Sequence, residues 1–286
     1  MSTHAEQAQT LIEALPYIQK FNGKTVVVKY GGSAMVSDGL RRAVMSDIVL
    51  LSLVGIRVVV LHGGGPEISR MLKAIGHPSR FVDGLRYTDA ATMGVVQSVL
   101  CGKVNKDLVA QINGLGGSAL GICGIDGRLF QARQLDPRYG LVGDITAVDP
   151  TLVRRALDDG FVPVVSTVAQ GVDGNPACNI NADTAAAKLA VALGAEKLIL
   201  LTDVRGLLRD PADDATLISV VRPDDVPALR DSGIVTGGMI PKLDCCLDAL
   251  AGGVRRVHLL DGRIPHSILV ELLSDKGIGT MLELAA

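Results

Sequence analysis

Five short apolar runs, none of them alternating with polar residues, constrain this chain more than any other feature. They are TVVVKY (25–30), IRVVVLHGGG (56–65), FVPVVSTVA (161–169), EKLILLTDV (196–204) and RRVHLL (255–260). An unbroken apolar run suits a strand buried on both faces, and such strands belong to parallel sheets covered by helices. Helical patterns lie between several of the runs. DGLRRAVMSDIVLLSLVG sets Leu40, Val44, Ile48 and Leu51 on one face and ends at Gly55; the Ala-rich NADTAAAKLAVALGA ends at Gly194. This alternation predicts an α/β fold with a mostly parallel sheet. A soft division falls near residues 176–182, between two halves of similar grammar, and no repeat of fixed period is present.

With 286 residues, 48% of them hydrophobic and 20% charged, the chain can bury a sizeable core as one large domain or two lobes sharing a sheet. A net charge of −2 gives no electrostatic footprint for nucleic acid, and 3% aromatics without Trp give no base-stacking platform. The five cysteines, Cys245 and Cys246 adjacent among them, lack zinc-ligand spacing and read as reduced thiols of a cytoplasmic protein. The N-terminus is acidic without a long apolar core, so no signal peptide is expected, and no run of about 18 apolar residues suggests a membrane span. Ahead of the first strand, Ala8, Leu11, Ile12 and Leu15 fall at helical spacing, with Pro16 expected to kink or end that helix. Its apolar face needs a partner, either its own domain or another subunit.

Two of the runs end in glycines, KYGG and HGGG. Ligands of parallel sheets bind beyond the carboxyl ends of the strands, and glycine lets backbone N–H groups close on an anion. Two such turns facing one crevice can hold a polyphosphate from two sides, with Lys29 beside its oxygens. Neither turn fits the P-loop or the dinucleotide fingerprint. His62 reads as part of its turn, since no second His or Cys stands at ligand spacing.

VVVKYGGSAM, VVVLHGGGPEIS, DGLRYTD, GKVNKDLV, NINADTAAAKLA, LILLTDVRGLL, TGGMIPKL and GIGTM, in this order from about residue 11 to 282, resemble the N-acetylglutamate kinases of the amino acid kinase family. The resemblance implies a three-layer α/β/α sandwich around an open, mostly parallel central sheet. It implies transfer of a phosphoryl group from ATP, with Mg²⁺ held mainly by the nucleotide, to the γ-carboxylate of N-acetyl-L-glutamate. It also implies an N-terminal oligomerisation helix (1–22), a lobe for the acyl amino acid and dimer contact (23–180) and an ATP lobe (181–286). Lys29 and Lys242 match the catalytic lysines, and Asp183 the acid that holds them. Gly31, Gly32 and Gly63 match phosphate-binding backbone, and Gly64, Gly65, Arg86 and Asn179 the substrate site. Asp203 falls where the nucleotide lies. No metal ligands are assigned.

The N-terminal helix resembles that of arginine-inhibited members, which assemble as hexamers from three dimers. Tyr17, Lys197, His266, Glu271 and Gly277 would line the arginine pocket, with Glu271 taking the guanidinium. A nitrogen-signalling protein is a further possible partner. Residues alone leave other readings open: a sister kinase for an acylated or carrier-linked aminoadipate, a carbamate or glutamate kinase, and a non-catalytic amino-acid sensor, against which both lysines speak.

Overall fold

A computed structural model describes residues 4–35, 37–172, 174, 176–210 and 212–284. Residues 1–3 of the expected N-terminal segment and 285–286 of the expected ATP lobe lie outside the described residues. Strands and helices are numbered in chain order. One sheet holds β1 (Thr25–Tyr30), β2 (Arg57–His62), β5 (Ala119–Cys123), β8 (Val162–Ser166), β11 (Lys197–Thr202), β12 (Val220–Val221), β13 (Arg256–Asp261) and β14 (Thr280–Glu283). Their order is β12-β14-β13-β11-β1-β2-β8-β5. Every neighbouring pair is parallel except β13–β14. A second sheet takes β6 (Phe130–Gln134), β7 (Gly143–Val148), β9 (Val168–Gly171) and β10 (Cys178–Asn179), and β3 (Phe81–Val82) pairs with β4 (Leu85–Arg86) as a hairpin.

The helices are α1 (His4–Phe21), α2 (Asp38–Leu53), α3 (Gly65–Ala74), α4 (Ala90–Gln97), α5 (Asn105–Gly114), α6 (Thr151–Asp158), α7 (Ala182–Leu193), α8 (Val226–Asp231), α9 (Met239–Ala251) and α10 (Ser267–Leu273). A π-helical turn, Ser98–Val104, joins α4 to α5. Side chains alternate across each strand, so each strand feeds two cores. Val27, Val59 and Leu61 pack with α6, α7 and α9 on one face. Val26, Val28, Val58 and Val60 pack with α2, α3, α5 and α10 on the other. Both cores draw on residues from before and after the 176–182 division, so the sheet runs unbroken through both halves. The three-layer sandwich and all five predicted strands are present. Among the described residues, no helix is long and apolar enough to cross a membrane.

The α1 helix does not end at Pro16 but runs on to Phe21. A proline removes only the one hydrogen bond its own N–H would donate to the carbonyl four residues back. Packing of Tyr17 and buried Phe21 in the second core holds the turn beyond it. Before Pro16 the helix is unsupported: Leu11, Ile12 and Leu15 are 73%, 62% and 45% exposed.

Carboxyl ends of β1, β2, β8 and β5 lie side by side, in the register Tyr30↔His62, His62↔Ser166 and Cys123↔Ser166. His62 is fully buried there. Its Nδ1–H donates to the Gly63 carbonyl at 2.9 Å, and Nε2 accepts from Asn105 Nδ2 at 3.2 Å. The carbonyl sets the tautomer. Asn105 also donates to the Val164 carbonyl at 2.8 Å. Gly121 leaves room for this amide, since a Cβ there would fall 2.1 Å from Asn105 Oδ1. A chain of contacts thus runs from strand β5 to the HGGG turn.

Burial pushes the His62 imidazole down to about 4, against the pull of the Gly63 carbonyl. The unfolded chain therefore takes a proton at His62 below about pH 6.5 that the folded chain refuses until about pH 4. Stability is lost as pH falls through that window, by roughly 3 kcal/mol in all. Between pH 6.5 and 5, urea unfolding should show the native chain losing roughly 2 kcal/mol more than a His62→Gln variant. Parallel losses in both would mean that His62 is protonated in the folded state.

Candidate active site

Lys29, the penultimate residue of β1, and Lys242, in the first turn of α9, converge on one carboxylate. Lys242 Nζ donates to Asp183 Oδ2 at 2.6 Å. Lys29 Nζ stands 3.0 Å from Asp183 Oδ1 without the alignment of a hydrogen bond, so that contact is chiefly Coulombic. Asp183 is presented by the N-terminus of α7. Asn181 caps this helix, its Oδ1 accepting from the N–H groups of Asp183 and Thr184 at 2.9 and 3.1 Å. Burial pushes the Asp183 carboxyl up, but the charges of the two ammonium groups, with the Lys242 hydrogen bond, outweigh it and hold it below the usual carboxylate range. The group stays ionised and carries no proton to give. Its use is to fix two cations at the mouth of the crevice, leaving one net positive charge there.

Both glycine turns flank this triad. A Cβ at Gly31 would lie 3.3 Å from Lys29 Nζ, and Gly32 takes the left-handed backbone, φ +63. The Gly63 N–H donates to the Tyr30 carbonyl at 3.1 Å, tying one turn to the other strand. Gly64 and Gly65 open α3, whose first N–H groups have no intrahelical acceptor and favour an anion. Gly64 must lack a side chain, since a Cβ would meet Leu100 Cδ2 of the π turn at 2.6 Å.

A cavity of about 170 Å³ is lined by Gly63, Gly64, Gly65, Leu100, Arg86 and Asn179. Arg86 is buried and held from three directions. It donates to Ser79 Oγ (2.6 Å), Ser69 Oγ (2.8 Å) and the Gly65 carbonyl (3.0 Å), with its guanidinium 4.7 Å from the centre of the Phe81 ring. Asn179 donates to Thr88 Oγ1 at 3.2 Å. A second cavity, of about 740 Å³, carries Asp183, Lys242, Gly237 and Gly238, and shares Gly84, Leu85, Val142 and Asn181 with the first. The two form one cleft; Asp183 and Lys242 line its larger part beside the shared Asn181, and Lys29 lines neither part but reaches them through Asp183. Asp203 lines neither; it is exposed at the end of β11. Nearby, Asp261 binds Arg263 with both carboxylate oxygens, at 2.8 to 3.2 Å.

A separate cavity of about 300 Å³ lies at the opposite, amino ends of β11 and β13 and gathers Tyr17, Lys197, Glu271 and Gly277. His266 does not join them. It stands at the N-cap of α10 in a left-handed conformation, and its Nδ1 faces buried Asp47 Oδ1 of α2 at 2.5 Å. Burial raises the Asp47 carboxyl to about 6, more than His266 lowers it. That pairing turns the His266 ring toward the second core. The histidine of the cavity is His258 of β13, whose Nδ1 donates to Glu271 Oε1 at 2.7 Å. Glu271 Oε2 accepts from the Ile278 N–H at 3.0 Å. Lys197 is pushed down to about 8 by burial, with its ammonium 4.9 Å from the centre of the Phe21 ring. Sequence reading missed His258, Arg256 and Asn105. A lone histidine inside an apolar strand run and an asparagine in a helix carry no local signal; only their partners across the fold mark them.

A sequence profile of the amino acid kinase family matches residues 24–261. The acetylglutamate kinase of Pelotomaculum thermopropionicum is 54% identical over 295 aligned positions, which cover 99% of this chain and 100% of that protein. N-acetylglutamate synthase from Neisseria gonorrhoeae, complexed with coenzyme A and N-acetyl-glutamate, superposes with a TM-score of 0.85 at 30% identity, over 98% of this chain. The same synthase complexed with coenzyme A and L-arginine gives 0.80 at 27% identity, over 96% of this chain. This chain spans 64% and 65% of those two longer chains. Likeness over almost the whole length, on the same parallel sheet, makes the chain a member of the amino acid kinase family.

Proposed function

We propose that the chain transfers the γ-phosphoryl group of ATP to the side-chain carboxylate of N-acetyl-L-glutamate, giving N-acetyl-L-glutamyl 5-phosphate for arginine biosynthesis. The observation that carries this reading is Asp183 bridging Lys29 and Lys242 beside the cleft. A carboxylate attacking a phosphoryl group brings two anions together, so the chemistry asks for fixed cations on the path. A carboxylate oxygen bonds to the γ-phosphorus as the bond from that phosphorus to the β–γ bridging oxygen breaks, and ADP departs with the electron pair. Lys29 faces the acyl-amino-acid side and Lys242 the nucleotide side, so charge is met at both oxygens in flight. The N–H groups of Gly31, Gly32 and Gly63 cradle phosphate oxygens. Gly64, Gly65, Arg86 and Asn179 receive the acyl amino acid, Arg86 through its free N–H groups to the α-carboxylate and Asn179 to the N-acetyl amide. Residues 23–180 hold this substrate and the dimer contact. Residues 181–286 hold ATP, with Asp203 at the nucleotide end. Among the described residues, no three His, Cys, Asp or Glu side chains cluster as a metal cage. Mg²⁺ comes on the nucleotide phosphates, as is usual for a kinase, and the chain's own part is position and charge.

The relative at 54% identity, matched end to end, supports the substrate over carbamate, glutamate or aminoadipate. Release of ADP with N-acetylglutamate, and not with those three, is the expected result of a side-by-side assay. Turnover confined to another acceptor would overturn the assignment.

Arginine feedback belongs to the same reading. The 300 Å³ cavity offers Lys197 to a carboxylate and the His258-oriented Glu271 to a guanidinium, and the related synthase was crystallised with L-arginine. The exposed apolar face of α1 seats a second subunit, linking three dimers into a ring. We place the enzyme in the cytoplasm, within reach of a nitrogen-signalling partner.

Lys29→Ala and Lys242→Ala should each lower kcat at least ~100-fold while the fold persists, as lost oxyanion stabilisers do. Near-normal turnover of a folded variant would take that lysine out of the transition state. Arg86→Ala should raise KM for N-acetylglutamate far more than KM for ATP, because it serves one substrate only; equal rises in steady-state assays would assign it to folding. Charging the α1 face with Leu11→Glu and Ile12→Glu should reduce the mass in solution to that of a dimer and blunt inhibition by arginine. A hexamer still fully inhibited would refute the ring.

A further inference from the structure

Two thiols that the phosphoryl-transfer chemistry does not use sit beneath the glycine turn. Cys123 ends β5, next to Ser166 in the sheet register, and Cys101 stands in the π turn that packs on that strand. Cys101 Sγ lies 3.4 Å from Ser166 Oγ, and Ser166 is the sheet neighbour of Cys123, so the two thiols flank one hydroxyl. Both are half-buried, whereas Cys178, Cys245 and Cys246 are buried. The surroundings of the pair divide their roles. The Cys101 thiol and the backbone N–H groups of Ile125 and Asp126 draw the Cys123 thiol down to about 7, against its burial. Cys101 is pushed upward by the neighbouring Cys123 thiol and by burial. A low thiol with a second thiol beside it is the arrangement that peroxide attacks and a second cysteine resolves. The buried cysteines are all pushed upward by burial and are poor nucleophiles.

We propose that Cys101 and Cys123 form a peroxide-responsive pair whose closure to a disulfide shifts the π turn and weakens the acyl-amino-acid cavity. Hydrogen peroxide is the oxidant. The Cys123 thiolate displaces hydroxide from one peroxide oxygen, giving a sulfenic acid and, with a proton, water. The Cys101 thiol then attacks that sulfur, its proton passing to the departing hydroxide, so that the second oxygen leaves as water. Two thiols and one peroxide give one disulfide and two waters, and a dithiol reductant reverses the change. The step reaches the site because Leu100, next to Cys101, is the wall against which Gly64 closes, and it lines the cavity with Arg86 and Asn179. A covalent bond draws the sulfurs well inside van der Waals contact, and the turn carrying Leu100 moves with them. Leu100 lines the smaller cavity, whereas Lys242 lines the larger one, so the nucleotide side is spared.

The effect on affinity rests on the substrate reading above; disulfide formation does not. The test is to reduce the intact protein, titrate it with hydrogen peroxide, map its disulfides by peptide mass, and measure both KM values. A Cys101–Cys123 linkage is expected, with KM for N-acetylglutamate raised on the order of tenfold or more, as small misplacements in a site do. KM for ATP should stay within about twofold, since its site is not moved. Dithiothreitol should restore the reduced values, and Cys101→Ser and Cys123→Ser should turn over normally and not respond. Peroxide oxidation that leaves these two residues unlinked would overturn the pair. A mapped linkage with unchanged kinetics would overturn its effect on the cavity. A reduced enzyme inactive on N-acetylglutamate would strike the substrate assignment, while the mapping would still decide the pair.

Discussion

Asp183 carries the arrangement on which the rest of the cleft depends. A buried carboxylate with one cation would leave a neutral pair; with two it leaves a positive site organised by a negative one. Taking three charges out of water costs several kcal/mol per ion, and close pairing offsets this only where geometry is good. The geometry comes from separate parts of the chain: β1 for Lys29, the capped start of α7 for Asp183, and the first turn of α9 for Lys242. Since both ammonium groups are anchored to one carboxylate, they cannot drift apart when the cleft is empty, and little reorganisation remains when charge develops between them.

The glycine turns are set by the same economy of placement. Parallel strands end together, so KYGG and HGGG face one crevice without any loop having to reach. What sharpens the second turn is a buried polar chain behind it. His62 fixes the Gly63 carbonyl, Asn105 fixes His62, and the bare Cα of Gly121 makes room for Asn105. A half-satisfied polar group at this depth would cost stability, and Asn105 Oδ1 has no partner among the described residues. Close packing of Leu100 on Gly64 couples the turn to the π segment as well, which makes that segment sensitive to whatever happens at Cys101.

A different logic governs the far end of the sheet. Lys197 begins β11 and Arg256 begins β13, while Thr202 and Asp261 end those strands. Two strands of about 17 Å each, the length of six residues in extended form, thus run from the 300 Å³ cavity to the carboxyl edge of the sheet. An effector at one end biases the other only by binding two states of the subunit arrangement unequally. The helix that would sense such an arrangement, α1, lends Tyr17 to the same cavity.

The apolar runs by themselves determined the sheet, because an unbroken β-branched run has few other stable places than a strand covered on both faces. The order of motifs determined the family. Other features depended on contacts between residues far apart in the chain. The antiparallel return of β14 follows two weak glycine-rich turns with no periodic signal. In the small sheet, β6, β7 and β10 lie outside the five apolar runs, and β6 and β7 have only mixed burial to mark them. His266 sits close in sequence to Glu271 of the 300 Å³ cavity, yet in the fold it turns to Asp47, 219 positions away, while His258 takes its place beside Glu271. Residue type and spacing state which groups a chain has available. Which of them meet is decided by packing, because a buried charge accepts only the partner that the tertiary fold brings within hydrogen-bonding distance.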